Sequence, residues 1–311
     1  MKKIALLFAG QGAQAVGMGK DLADQFPSAA EVFRRGDEIL GRKLSEIAWN
    51  GPIDELTKTS NCQPALFIHG IVCLSILREL AGNFSVGGAA GLSLGELTAH
   101  AAAQTFDFES GLKLVQKRGE FMDQACAETI GGMAAMIGAD ENTVRQLADD
   151  EDVDVANINS PGQIVISGEL AKVEAAVGVA KEHGIRRATM LNVAGAYHSR
   201  LMESAYQQFG AALTHLQINP PQFLVVSNVT GREVNTPIEI KQTLQDQITS
   251  TVRWVDCMER LVALGCDLFL ELGPGGVLAG LLKRTRKDVE IVSVGDVAGV
   301  RACADRLRSA S

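Results

Sequence analysis

GLSLGE, residues 91–96, places a serine between two glycines, each two positions away. The small-residue run SVGGAAG (85–91) before it predicts a strand, and LGELTAHAAA (94–103) after it predicts a helix. A strand, a sharp turn and a helix around a serine form the setting of a nucleophile elbow. Such a turn strains the serine backbone, and side chains at the two flanking glycines would clash. We therefore interpret Ser93 as a nucleophile rather than as a small residue in a tight turn.

A serine nucleophile needs a general base, and the chain has five histidines. His198, in VAGAYHSRLM, follows a predicted strand at the border between two predicted domains. Clefts between domains are common positions for sites, so His198 is the candidate base. The remaining four are interpreted as buried or surface residues with structural roles: His69, His100, His183 and His215.

The composition favours helices packed closely on a sheet. With 311 residues, 46% of them hydrophobic and 21% charged, the chain can form one large domain, or one large and one small domain. A net charge of -8 argues against general nucleic-acid binding. The start, MKKIALLFAGQGAQ, lacks the long apolar region and cleavage site of a signal peptide, so residues 4–9 predict a buried strand.

Two further features bear on location. No stretch is expected to reach the roughly 18 apolar residues that a membrane span needs. The six cysteines are scattered and contain no C-x-x-C pair. They are interpreted as reduced thiols of a cytoplasmic protein, not as disulfides or metal ligands.

The apolar pattern changes after about residue 128 and changes back near residue 199. The segment between them predicts the order βαββαβ in six segments: 131–138, 140–150, 153–159, 162–168, 169–184 and 185–193. This order is that of a ferredoxin-like unit. We expect a small ferredoxin-like subdomain at 129–198, inserted into a large domain formed by 1–128 and 199–311.

Patterns in the large domain resemble those of an α/β protein. Residues 63–80 predict a buried helix with Pro64 in its first turn, and 107–126 predict a helix with Asp107 as N-cap. Later segments predict two strands and two helices: 222–229, 252–265, 266–276 and 277–287.

Six motifs occur in order along the chain: GQGAQ, GLSLGE, KRGEFM, NSPGQIVISG, GAYHSRLM and ELGPGGVLAGLLKR. Together they resemble those of the malonyl-CoA:acyl carrier protein transacylases and of the acyltransferase domains of polyketide and fatty acid synthases. The resemblance covers residues 5 to about 285. It implies an α/β-hydrolase-like core with a parallel sheet plus the inserted ferredoxin-like subdomain.

The resemblance also implies a role for particular residues. Ser93 is then the nucleophile, His198 its general base, and the main-chain carbonyl of Gln247 orients the histidine. No carboxylate is needed in this arrangement. The backbone N–H groups of Gln11 and Leu94 are then the oxyanion hole.

Two more residues are implied to contact the acyl group. Arg118, in KRGEFM, is then the cation that binds the malonyl carboxylate; taken alone, it would be a solvated helix charge. Tyr197 has a ring that would crowd a methyl branch, which favours malonyl over methylmalonyl. Many family members have histidine where this chain has Leu92, which bears on rate or pH behaviour but not on these residues.

The implied activity is transfer of malonyl from malonyl-CoA to the phosphopantetheine thiol of acyl carrier protein, through a malonyl-serine ester. It needs no metal and no cofactor. A stand-alone chain favours fatty acid synthesis over a polyketide pathway, and we expect a monomer. Because the carrier partner is expected to be acidic, KRTRK (283–287) and Arg186 with Arg187 are candidate docking surfaces.

Other classes of protein remain possible from the motifs. A serine esterase or thioesterase would use the same elbow, but it would leave Arg118 without a purpose. GQGAQA (10–15) fits a dinucleotide-binding turn, but residues 26–40 are helical in pattern where that site needs a strand. A scaffold without catalysis is the third alternative.

Overall fold

The computed structural model describes residues 2–309, and a six-stranded sheet forms its centre. The strands of both sheets are β1 (Ile4–Phe8), β2 (Val86–Gly91), β3 (Gly131–Ile137), β4 (Asp154–Ser160), β5 (Gln163–Glu169), β6 (Arg187–Met190), β7 (Val225–Val226), β8 (Glu233–Val234), β9 (Leu268–Leu272) and β10 (Glu290–Val294). The central sheet has the order β10-β9-β1-β2-β7-β8, and all its neighbours are parallel except β7 with β8.

Helices cover both faces of the central sheet. They are α1 (Lys20–Gln25), α2 (Pro27–Leu40), α3 (Leu44–Asn50), α4 (Ile53–Thr57), α5 (Thr59–Ala81), α6 (Leu94–Ala102), α7 (Phe108–Glu128), α8 (Glu141–Asp150), α9 (Leu170–Val179), α10 (Glu203–Thr214), α11 (Pro237–Asp246), α12 (Trp254–Ala263), α13 (Val277–Thr285) and α14 (Val297–Ser309). Alternate residues of β1 enter two different cores, one with α5 and α7 and one with α12 and α13. The prediction that β1 is buried on both faces is therefore confirmed.

The second sheet is antiparallel and has the order β4-β5-β3-β6. Along the chain its elements follow as β3, α8, β4, β5, α9 and β6. A separate apolar core lies between this sheet and its two helices. The overall fold is therefore mixed α/β, with one largely parallel and one antiparallel sheet.

A short segment of the chain joins the two sheets. Asn157 of β4 forms an isolated parallel bridge with Val252. The N–H of Val252 donates to Ala156 O at 2.8 Å, and Ile158 N–H donates to Val252 O at 2.9 Å. The Thr251 hydroxyl adds a bond to the main chain of the same strand at 2.6 Å. These bonds fix the edge of the small sheet to the segment that enters α12.

Helix α5 begins four residues before the predicted start, so the prediction that Pro64 lies in its first turn is wrong. Proline has no N–H to donate to the carbonyl four residues earlier, that of Ser60. The Arg42 guanidinium donates to this carbonyl at 2.7 Å and so supplies the missing partner. A helix interior can therefore contain the proline.

Among the residues described, one helix, α5, is long and apolar enough to cross a membrane by length and composition. Most of this helix, residues 63–80, is predicted from the sequence to be a buried helix. In the fold, 67% of its most apolar window is buried inside the protein, as is common for the core helix of a globular domain.

Several predicted elements are confirmed with shorter bounds. The Asp107 and Asp140 carboxylates cap α7 and α8 by accepting from Ser110 N–H at 2.7 Å and Thr143 N–H at 2.8 Å. Helix α9 ends before the predicted Gly184, β6 covers only part of 185–193, and β7 only two residues of 222–229. All six cysteines are free thiols, as predicted.

Candidate active site

The turn between β2 and α6 holds Ser93 with φ 52° and ψ -107°, a conformation that L residues rarely adopt. The flanking glycines explain how so tight a turn fits. A Cβ added at Gly91 would lie 1.8 Å from the Gly95 carbonyl carbon, and one added at Gly95 would lie 2.2 Å from Phe8 O. The predicted clash at both glycines is confirmed, and it requires glycine at each.

His198 lies directly beside the turn. Its Nε2 is 2.8 Å from Ser93 Oγ, and its Nδ1 is 2.7 Å from the main-chain oxygen of Gln247. A carbonyl only accepts, so Nδ1 carries the proton and Nε2 is free to accept the serine proton. Burial, reinforced by the positive charge of Arg118, lowers the pKa of His198 to about 4. The imidazole is therefore neutral at neutral pH, the state that a general base requires.

Arg118 reaches the serine from α7 and is fully buried. Its Nη1 donates to Gln63 Oε1 at 2.7 Å, and its Nη2 donates to Gln247 Oε1 at 2.8 Å and to Ser93 Oγ at 3.1 Å. Burial lowers the pKa of Arg118 to about 10, which leaves it a cation at neutral pH. The interpretation as a solvated helix charge is therefore wrong, because the guanidinium faces the interior and the nucleophile.

The backbone near Ser93 limits which N–H groups can face a reacting carbonyl. The Ser93 N–H is already bonded to Asn228 Oδ1 at 2.7 Å. Leu94 carries the first N–H of α6, and the first N–H groups of a helix have no partner within it. The turn containing Gln11 packs on the serine turn, since a Cβ at its neighbour Gly10 would lie 2.3 Å from Leu92 O.

A cavity of about 500 Å³ opens over Ser93 and His198. Gln11, Leu92 and Tyr197 are among the residues that line it. The Tyr197 hydroxyl is held by Thr59 Oγ1 at 2.7 Å. Three apolar side chains also line the cavity: Met133 and Val165 of the small sheet, and Leu191 directly after β6. The cavity is therefore lined both by the serine turn and by residues of the small sheet.

The fold brings four of the seven predicted site residues into one hydrogen-bond network: Ser93, His198, Gln247 and Arg118. Of the other histidines, His69 and His100 are fully buried, and His100 bonds Thr105 Oγ1 at 3.1 Å. Within residues 2–309, no group of three His, Cys, Asp or Glu side chains could hold a metal ion.

The sequence did not reveal three further polar residues of the network. Gln63 and Asn228 are buried and bond Arg118 and Ser93, but no local pattern distinguishes them from other polar residues. Glu96 follows the elbow and reads as a residue near the positive end of a helix dipole. In the fold it is fully buried, and its carboxylate accepts from Gln247 Nε2 at 2.5 Å and from Asn228 N–H at 3.0 Å.

Known proteins share this sequence and fold. The family model described as acyl transferase domain matches residues 5–305. The malonyl CoA-acyl carrier protein transacylase of Bacillus subtilis is 40% identical over 303 residues, which cover 95% of this chain and 94% of the relative. The enzyme of the same name from Haemophilus influenzae is 40% identical over 306 residues, covering 97% of this chain and 98% of the relative.

Solved structures give the same result. The acyl-carrier-protein-S-malonyltransferase of Bartonella henselae superposes with a TM-score of 0.94 at 38% identity, covering 98% of this chain and 99% of that one. A malonyl-transacylase solved in complex with a type II PKS acyl-carrier protein gives a TM-score of 0.93 at 34% identity, covering 98% and 99%. The chain therefore belongs to the acyl transferase domain family, and within it to the malonyl-CoA:acyl carrier protein transacylases.

Proposed function

We propose that this protein is a malonyl-CoA:acyl carrier protein S-malonyltransferase that works through an ester on Ser93. One observation carries the proposal: the Ser93 hydroxyl lies 2.8 Å from a neutral imidazole and 3.1 Å from a buried guanidinium. Malonyl separates its carboxylate from the reacting carbonyl by a single methylene. A cation adjacent to the nucleophile therefore suits this short diacid, and it has no evident use with an uncharged acyl chain.

In the first half of the reaction, His198 Nε2 accepts the Ser93 proton as Oγ attacks the thioester carbon of malonyl-CoA. Negative charge then develops on the carbonyl oxygen, and the N–H groups of Gln11 and Leu94 are the proposed donors to it. The tetrahedral intermediate collapses, the C–S bond breaks, and His198 returns its proton to the CoA sulfur. The product is a malonyl ester of Ser93.

The second half reverses these steps with a different thiol. The carrier protein's phosphopantetheine thiol gives its proton to His198, and its sulfur attacks the ester carbon. The C–O bond to Ser93 breaks, and the serine oxygen recovers the proton. Throughout, Arg118 holds the free carboxylate, while the main-chain oxygen of Gln247 keeps the imidazole in the tautomer that can accept at Nε2. Tyr197 is proposed to restrict branching at the methylene.

Intact mass spectrometry after mixing with malonyl-CoA tests this proposal. We expect one malonyl adduct on the wild-type protein and none on Ser93→Ala. The adduct should disappear when holo carrier protein is added, and the carrier should gain the same mass. Release of free malonate at the rate of transfer would instead favour a serine thioesterase. Comparing carriers from fatty acid and polyketide systems tests the proposed role in fatty acid synthesis.

The proposed fold assignment is an α/β-hydrolase-like domain at 1–128 and 199–311, with a ferredoxin-like subdomain at 129–198. The ferredoxin-like assignment is supported by the strand order β4-β5-β3-β6, with helix α8 following β3 and helix α9 following β5 along the chain. The α/β-hydrolase-like assignment is supported by the elbow at the carboxyl end of a parallel strand. Residues 1, 310 and 311 lie outside the described residues.

Two proposals concern the state of the protein in the cell. We propose that it is a monomer, because only five large apolar side chains of the described residues are exposed: Val16, Ile53, Ile130, Ile238 and Val277. Free cysteines throughout support a cytoplasmic location. Sedimentation velocity of the full chain tests the first, since a dimer would sediment faster than the 33.0 kDa chain.

An acidic carrier is proposed to dock at one end of the small sheet. Across β5, β3 and β6, Gln163 pairs with Ile137, and Ile137 pairs with Arg187, so these side chains share one face. The exposed Arg284 of α13 hydrogen-bonds Gln163. The two candidate surfaces are therefore neighbours. The same face continues to Met133, which lines the cavity.

Charge reversal tests this surface. We expect Arg187→Glu with Arg284→Glu to raise KM for the carrier protein several-fold, because complementary charge speeds and orients association. The rate of Ser93 loading by malonyl-CoA should stay unchanged. Lys43→Glu, in the exposed turn before α3, is the matched control. An unchanged KM in the double variant would exclude this docking surface.

A further inference from the structure

Glu96 is a buried carboxylate that the reaction steps do not use. It lies in the first turn of α6, three residues after Ser93, and none of its surface is exposed. Burial raises the pKa of Glu96 to about 7. A buried acid of this kind is costly unless its hydrogen bonds are satisfied, so its partners indicate why it is present.

Besides the Ser227 side chain, its partners are two residues of the active-site network. Oε2 of Glu96 accepts from Gln247 Nε2 at 2.5 Å and from Asn228 N–H at 3.0 Å. Asn228 in turn accepts the Ser93 N–H through its Oδ1 at 2.7 Å. One carboxylate oxygen is thus bonded to both residues that hold the nucleophile and the base.

The Gln247 amide can lie in either of two orientations of nearly the same shape, and its neighbours distinguish them. With Nε2 toward Glu96, the amide donates to the carboxylate and to Ser93 O at 3.1 Å. Its Oε1 then accepts from Arg118 Nη2 at 2.8 Å. In the reversed orientation the amide oxygen would face two acceptors, the Glu96 carboxylate and Ser93 O, and the amide NH₂ would face the Arg118 guanidinium. Removing Glu96 would take away the stronger of those two acceptors.

The same glutamine also controls the base. Its main-chain oxygen accepts from His198 Nδ1 at 2.7 Å, while its side-chain oxygen accepts from the cation. A change in the side chain of Gln247 therefore affects Arg118 directly and His198 through the main chain.

We propose that Glu96 is a positioning residue that orients the Gln247 amide, so that its oxygen holds Arg118 where a malonyl carboxylate arrives. This proposal rests on the proposed malonyl transfer. Glu96 touches neither substrate nor the reacting atoms. Its main effect is on which acyl group is accepted: Arg118 contacts Ser93 Oγ with any acyl group, but only a carboxylate-bearing group binds the cation directly.

A double-mutant cycle tests the proposal. Glu96→Leu removes the acceptor, and Gln247→Leu removes the amide but keeps the main-chain oxygen. For each variant, the rates of Ser93 acylation by malonyl-CoA and by acetyl-CoA are measured in single turnover. We expect Glu96→Leu to lower the malonyl-to-acetyl ratio by roughly tenfold, since bonds to charged groups are the stronger ones. Gln247→Leu should lower it to a similar degree.

The decisive result is the double variant. If Glu96 acts through the amide, removing it after the amide is gone changes the ratio no further. This comparison remains available should Glu96→Leu alone fail to fold. Losses that multiply in the double variant, or a ratio unchanged in Glu96→Leu, would overturn the proposal. Failure of malonyl transfer itself would appear separately, as wild-type protein without an adduct on Ser93.

Discussion

Gly95→Ala should slow the reaction strongly by displacing the elbow. The added Cβ would lie 2.2 Å from Phe8 O, 2.9 Å from Phe8 C and 3.1 Å from Ala9 O. All three are backbone atoms of the last residue of β1 and the residue after it, so no side-chain rotation relieves the overlap. The start of α6 must move away from β1 by roughly 1 Å, which carries Ser93 and Leu94 with it.

The size of the effect follows from that displacement. Overpacking of this kind costs about 1–3 kcal/mol of folding free energy. A misplacement of about 1 Å lowers the rate of a positioned reaction by about 100-fold. We therefore expect folded protein with a modestly lower melting temperature and a rate of Ser93 malonylation about 100 times slower.

Gly280→Ala is the matched control. Gly280 lies inside α13, and a Cβ added there meets no atom within 4 Å. Alanine in a helix interior is favoured over glycine by about 0.5–1 kcal/mol, so this variant should gain stability and keep its loading rate. Single-turnover malonylation followed by mass spectrometry, with thermal unfolding of both variants, measures these effects. A Gly95→Ala protein that loads at the wild-type rate would refute the close-contact argument.

Three further predictions concern titration and buried hydrogen bonds. Because His198 must be neutral to act, kcat/KM with acetyl-CoA should rise with pH through about 4. Arg118→Met removes the positive charge that, after burial, lowers the pKa of His198, so it should shift this rise to higher pH. A shift in the opposite direction would contradict the assigned charge. Burial lowers the pKa values of His69 and His100 to about 4 and about 3. As pH falls below 6.5, these histidines are therefore protonated in the unfolded chain but stay neutral in the native protein, so the free energy of unfolding decreases. Denaturant unfolding should show about 2 kcal/mol lost per histidine between pH 7 and pH 5, and a smaller loss in His100→Asn; equal losses would exclude His100 as a source. Asn228→Ala removes the bonds to Ser93 N–H and Gly91 O and should cost about 2–4 kcal/mol of stability, with slower malonylation; unchanged unfolding and loading would show that these bonds contribute nothing.

Local signals in the sequence predicted much of the fold. The apolar run 4–9, the glycines around Ser93 and the caps Asp107 and Asp140 act through neighbours in the chain, and each lies where the pattern predicts. The start of α5 was missed because Pro64 signals a first turn. The Arg42 side chain, 18 residues from Ser60, bonds the carbonyl that the proline leaves without a helix partner, and no local pattern signals this contact.

Helix α11 had a local signal that the sequence analysis did not use. Thr236 and Glu239 form a capping box around Pro237, a pattern visible in the printed sequence. Asn228 and Glu96 had no such signal for their roles. Glu96 meets Gln247 across 151 positions of the chain, so only the packing of α6 against the segment after α11 brings them together.

The bonds between β4 and residues 251–252 attach the small sheet close in sequence to the carbonyl that orients the base. Val252 lies five residues after Gln247, whose main-chain oxygen fixes the imidazole. Asn157 both pairs with Val252 and lines the cavity, as His198 does. The wall that an incoming acyl group meets and the carbonyl that sets the histidine tautomer are therefore anchored within one short stretch of chain, residues 247–252.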